Sequence, residues 1–84
     1  MSALAYRARK DRIEIRIVAY RPYLTPVPED HLRVVVQAVE HGRPIAEDPL
    51  HIEVMPVLEL AQALHISRNE GWDIQPWEDN GNGN

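Results

Sequence analysis

Hydrophobic and polar positions alternate most regularly over residues 12–20. Ile13, Ile15, Ile17 and Ala19 fall on one side of an extended chain, and Glu14, Arg16, Val18 and Tyr20 on the other. This period of two predicts a half-buried strand. Pro22, Pro26 and Pro28 then interrupt the pattern, so Arg21 to Asp30 is expected as a stiff loop rather than a tight hairpin.

From His31 to Val39 two periodicities compete. Leu32, Val35, Val36 and Val39 fit helical spacing, with Pro28-Glu29-Asp30 as a helix start, while Leu32, Val34, Val36 and Ala38 alternate. The β-branched run Val34-Val35-Val36 favours a strand. So does the hairpin chemistry of Glu40-His41-Gly42-Arg43, where Gly42 supplies positive φ before a short returning strand at Pro44-Ile45-Ala46. Glu47-Asp48-Pro49 ends that strand.

From Pro56 the period becomes helical. Val57, Leu60, Ala61 and Leu64 form one stripe, Leu58 lies beside it, and Glu59 and Gln62 lie outside. Pro56 suits a first helical position and Gly71 a stop. Trp72-Asp73-Ile74-Gln75 is expected to return as a last strand, with Trp72 and Ile74 facing the core. Together these elements predict an α+β fold: a small antiparallel sheet of three or four strands with one main helix on one face. Residues 1–78 are expected to form a single domain, and the polar, glycine-interleaved segment 79–84 a disordered tail.

Composition narrows the class. A chain of 84 residues without cysteine supports one small core and no disulfide framework, zinc ribbon or thiol nucleophile. No apolar run approaches the length of a bilayer span, and early arginines break any signal-peptide core, so a cytoplasmic protein is expected. The net charge of −4 is uneven: residues 1–22 carry six basic residues against Asp11 and Glu14, a net +4, and the remainder a net −8. An acidic balance disfavours a dedicated nucleic-acid binder, whose affinity comes largely from phosphate neutralisation.

Catalytic patterns are absent from the sequence. His31, His41, His51 and His65 show no ligand spacing, so no metal or cofactor is expected. Ser2 and Ser67 lie in no nucleophile elbow, and no glycine-rich phosphate loop occurs. Residues 57–75 offer an alternative, a helix-turn-helix regulator, because Leu60 to Arg68 reads like a first helix and turn. Gly71 and Pro76 then fall within the second helix, costing about 4 kcal/mol relative to alanine, and Asp73, Glu78 and Asp79 bring negative charge to the duplex.

Tyr6, Tyr20 and Tyr23 stand out in a chain without phenylalanine, and a tyrosine beside an arginine on a sheet face is good hot-spot material. The layout resembles a family of small phage-encoded type I-F anti-CRISPR proteins. The resemblance rests on Tyr6, on Ile17-Val18-Ala19-Tyr20, on Val36-Gln37-Ala38-Val39-Glu40-His41-Gly42-Arg43, and on Pro44-Ile45-Ala46-Glu47-Asp48. It implies a non-enzymatic inhibitor that occupies the backbone subunits of a crRNA-guided surveillance complex and blocks hybridisation of target DNA. That complex lies in the cytoplasm of the phage host.

In that family two tyrosines and a glutamate on one sheet face make the contact. Here they fall on Tyr6, Tyr20 and Gln37, the last a departure that removes a charge. Glu29, Asp30 and Glu40 are then expected to attract the lysines of a basic protein partner. The N-terminal arginines would point away from it or pair internally. The Pro22–Pro28 loop is longer than the family's pattern, and the C-terminal segment does not match it.

Overall fold

Two hairpins build the centre of the sheet in the computed structural model, which describes residues 3–78; the tail expected over 79–84 lies outside them. β1 (Leu4–Lys10) and β2 (Ile13–Tyr20) are joined by a two-residue turn at Asp11-Arg12, closed by the pair Lys10↔Ile13. Asp11 takes φ 55° there, a left-handed value that a short polar side chain tolerates. β3 (His31–Glu40) pairs antiparallel with β2 and turns into β4 (Arg43–Pro44). His41 and Gly42, at φ 55° and 78°, have the two left-handed residues of a type I′ turn, whose twist matches that of the strands.

β5 (His51–Pro56) pairs with the same side of β3, beyond β4. α1 (Val57–Asn69) then crosses one face of the sheet, and β6 (Asp73–Pro76) joins the far edge by pairing antiparallel with β1. The result is a six-stranded antiparallel sheet in the order β4-β3-β2-β1-β6, with β5 also on β3. The α+β class stands, and the sheet is larger than the three or four strands expected.

The helix starts without a side-chain cap. Pro56 is not its first residue but its extended N-cap, at φ −61° and ψ 147°, and Val57 N donates to Asp30 O at 2.8 Å. It stops at Gly71, φ 103°, in a Schellman arrangement: Gly71 N donates to Arg68 O and Trp72 N to Ser67 O, both at 3.1 Å. Residues 73–76 are then a strand, so the second helix of a helix-turn-helix over 57–75 does not form.

Strand parity assigns the two faces. The odd residues of β2 from Ile13 to Ala19 share a face with Tyr6 and Ala8 of β1, with Val34 and Val36 of β3, and with Ile74 of β6. This is the helix face. Its buried cluster is Ala8, Ala19, Val34, Leu60, Leu64 and Ile74, with Tyr6, Ile15, Ile17, Leu32, Met55 and Trp72 packed around it. Two alanines at the sheet centre let the helix approach closely, so its buried contribution is Leu60 and Leu64. Val57 and Ala61, expected in the same stripe, are exposed because the helix meets the sheet along a narrow line.

Candidate protein-binding face

The opposite face of the sheet carries no covering element among the described residues, and it is built from the other half of each strand's alternation. One cross-strand row runs from Ile52 through Val35 and Val18 to Ala5 and ends at Trp77, whose N–H donates to Ala5 O at 2.9 Å. Beside it runs a polar row, Gln37, Arg16, Arg7 and Gln75. On the other side lie Tyr20, Arg33 and Val54. A rigid pleated sheet therefore presents an apolar stripe flanked by arginines and aromatic rings, a composition enriched at interface centres.

The polar row places Arg7 directly opposite Arg16. Like charges in that position repel, and two features offset this. Trp77 covers both guanidinium groups, with their central carbons 4.9 Å (Arg7) and 5.2 Å (Arg16) from the ring centroid, a cation–π arrangement. Glu14 lies 3.1 Å from Arg7 Nε and 3.6 Å from Arg9 Nε. The Arg7 Nε–H is not aimed at that oxygen, so the contact is an ion pair without a hydrogen bond.

Arg16 has no ion pair among the described residues, and its Nε is buried without a hydrogen-bond partner. Gln37 Oε1, in the cross-strand neighbour, is buried and unpaired as well. A donor and an acceptor are thus left unsatisfied side by side near the middle of the open face, a costly arrangement in an isolated molecule. With Arg7, Arg9, Arg16 and Arg33 against Glu14 and Asp73, the face has a net charge of +2.

The expected contact residues divide between regions. Tyr20 and Gln37 lie on the open face, but Tyr6 pairs with Ile17 on the helix face and packs against the core. A single face bearing both tyrosines is therefore not formed, because six and twenty fall on opposite sides of the β1–β2 register. Glu29 and Asp30 lie in the loop before β3, and Glu40 ends that strand roughly 30 Å away along an extended chain, opposite Arg43 and on the helix face rather than the open one. Arg7 and Arg9 do pair internally, with Glu14, yet they do so on the open face.

Sequence reasoning set Arg16 beside Tyr20 on one side of β2 but missed Arg33 and Trp77. Nothing local indicated that Trp77 folds back over Arg16. Tyr23 and Leu24 also project from the proline loop, 98% and 87% exposed. The loop is held by Arg21, whose Nη1 donates to Pro28 O at 3.2 Å and His31 O at 3.0 Å, and whose Nη2 donates to Val27 O at 3.3 Å. This places an aromatic and a leucine beyond the Tyr20 end of the sheet.

Among the described residues no three His, Asp or Glu side chains gather in a metal-binding group. No helix there is long and apolar enough to cross a membrane. The chain matches no protein-family model, and no curated protein or solved structure matches it either.

Proposed function

We propose that the protein is a non-enzymatic inhibitor that binds a protein partner through the open sheet face and occludes a surface the partner uses to handle nucleic acid. The observation that carries this reading is the unsatisfied pair at the centre of that face, Arg16 Nε and Gln37 Oε1, framed by the Val18–Val35 stripe and by Trp77. Both atoms are covered by neighbouring side chains in the isolated protein, so docking turns the Arg16 and Gln37 side chains outward. There a partner group offering both an acceptor and a donor, such as a backbone amide or a carboxamide, satisfies them.

The charge pattern gives the docking its orientation. The positive centre favours carbonyl and carboxylate acceptors on the partner, while Glu29 and Asp30 in the loop before β3 meet lysines at its margin and steer the encounter. The resemblance makes the backbone subunits of a type I CRISPR surveillance complex the first partner to test. On this reading Tyr20 and Gln37 keep their contact roles, and Tyr6 supports the fold.

The experiment is a target-DNA binding assay on a purified type I-F surveillance complex, with the protein added before the DNA. Loss of DNA binding with the wild type, restored by Tyr20→Ala and Arg16→Ala, supports the proposal. Unimpeded DNA binding at saturating protein removes this target. If the wild type inhibits and both variants inhibit equally well, the open face is not the docking surface.

A further inference from the structure

The sheet has two free edges, and they are treated differently. β6 is short and ends in Pro76, and its Ile74 carbonyl accepts from Arg68 Nη2 at 3.3 Å, so little of that edge is available for pairing. β5 has six residues, pairs only with β3, and contains no lysine and no proline before Pro56. Ile52 and Val54 on it are 47% and 44% exposed. Such an unguarded edge is a template for another strand.

The hydrogen-bond phase shows what the edge offers. Val57 N donates to Asp30 O at 2.8 Å, and antiparallel pairs alternate between bonded and non-bonded. Met55, Glu53 and His51 are therefore the residues of β5 bonded to β3, opposite Leu32, Val34 and Val36. Ile52 and Val54 turn their N–H and C=O groups outward. Their side chains lie on the open face, while His51 and Glu53 lie on the helix face, joined by a 2.9 Å contact between Nε2 and Oε1.

We infer that β5 pairs with β5 of a second copy, antiparallel and centred on Ile52. The argument for a second copy is that the strand is complementary to itself. Centred on Ile52, the pairing sets His51 of each copy opposite Glu53 of the other, and Ile52 and Val54 of both copies merge into one apolar patch. Centring on Glu53 would oppose two carboxylates, and centring on Val54 would place Ile52 against Pro56, which has no N–H to give. The Ile52 register sets Val54 against Leu50, whose N–H already donates to Val36 O at 2.8 Å, so that outer pair adds only the bond from Val54 N–H to Leu50 C=O. The dimer would join the two open faces into one sheet of double width. It is independent of the proposed function, because the edge pairs whether or not the face docks.

Two six-residue strands make a small interface, so the expected dissociation constant is on the order of 100 μM. Sedimentation velocity over a concentration series should show reversible dimerisation of the wild type. Val54→Pro removes an outward N–H without touching the β3 ladder, and should stay monomeric with an unchanged far-UV circular dichroism spectrum. Should that variant fail to fold, Val54→Lys puts a charge on the same edge and should also be monomeric.

The cysteine-free chain permits a direct test of register. Under mild oxidation Ile52→Cys should form a disulfide dimer about tenfold faster than Glu53→Cys, because only position 52 meets its own copy within disulfide reach. A wild type that stays monomeric at millimolar concentration overturns the inference. So does equal cross-linking of the two cysteine variants, or a Val54→Lys variant that dimerises like the wild type.

Discussion

Trp77→Ala tests whether the ring holds the arginine pair of the open face together. Each guanidinium–ring contact, at 4.9 and 5.2 Å, contributes about 0.5–1 kcal/mol at a partly exposed site. Removing the ring also returns a half-buried apolar surface to water, about 1 kcal/mol, and leaves Arg7 and Arg16 opposed with only a few tenths of a kcal/mol to set against their repulsion. The expected loss is about 2.5 kcal/mol, equivalent to a fall in Tm of roughly 10–20 °C for a domain of this size.

Thermal and urea unfolding followed by far-UV circular dichroism would measure it. The informative partner is Arg16→Met, which keeps the aliphatic stem and removes the charge. A double-mutant cycle between the two substitutions should return a coupling energy of about 0.5–1 kcal/mol. A Trp77→Ala variant within about 0.3 kcal/mol of the wild type, or two substitutions additive to that margin, would refute the role given to the ring.

Tyr20→Ala should weaken partner binding by about 2 kcal/mol, near 30-fold, and leave Tm nearly unchanged. Tyr6→Ala should do the reverse, since its ring packs against the core: isothermal calorimetry and unfolding on the same two variants separate the roles. Leu64→Ala removes one of the two leucines that α1 buries and should cost about 2–5 kcal/mol in urea denaturation. Gly42→Ala meets no atom within 4 Å but must hold φ 78°, so a loss of about 1 kcal/mol from backbone strain alone is expected.

β2, the β3–β4 hairpin, the single helix and the last strand were legible in the sequence because local chemistry and periodicity agreed there. The valine run of β3 ends in a turn that only a hairpin requires, and Gly71 sits where the helix must reverse. β1 was hidden by its charges: Arg7, Arg9 and Lys10 read as a basic segment, and its inward positions include the small Ala8. β5 was hidden by inverted polarity. Its apolar residues, Ile52 and Val54, face away from the helix, and its polar ones, His51 and Glu53, share the helix side. The alternation was present, but it lay between two prolines that had been given other duties.

The candidate site was less legible than the fold. Assigning a residue to one face needs the register between strands, and an unrecognised β1 leaves the parity of Tyr6 undetermined. Trp77 lies 61 residues from Arg16 in the chain and meets it only because β6 pairs with β1. A contact of that separation leaves no local signal.

The pairing of the first strand with the last has a consequence for synthesis on the ribosome. β2 and β3 can zip as soon as they emerge, but β1 keeps an open edge and the Arg7–Arg16 pair stays uncovered until Trp77 clears the exit tunnel. Until then the nascent chain carries an incomplete sheet, with Ala8 and Ala19 waiting for the helix. Because β6 follows every element it closes on, a stall between β5 and β6 leaves the β1 edge unpaired and makes that pause a route to aggregation.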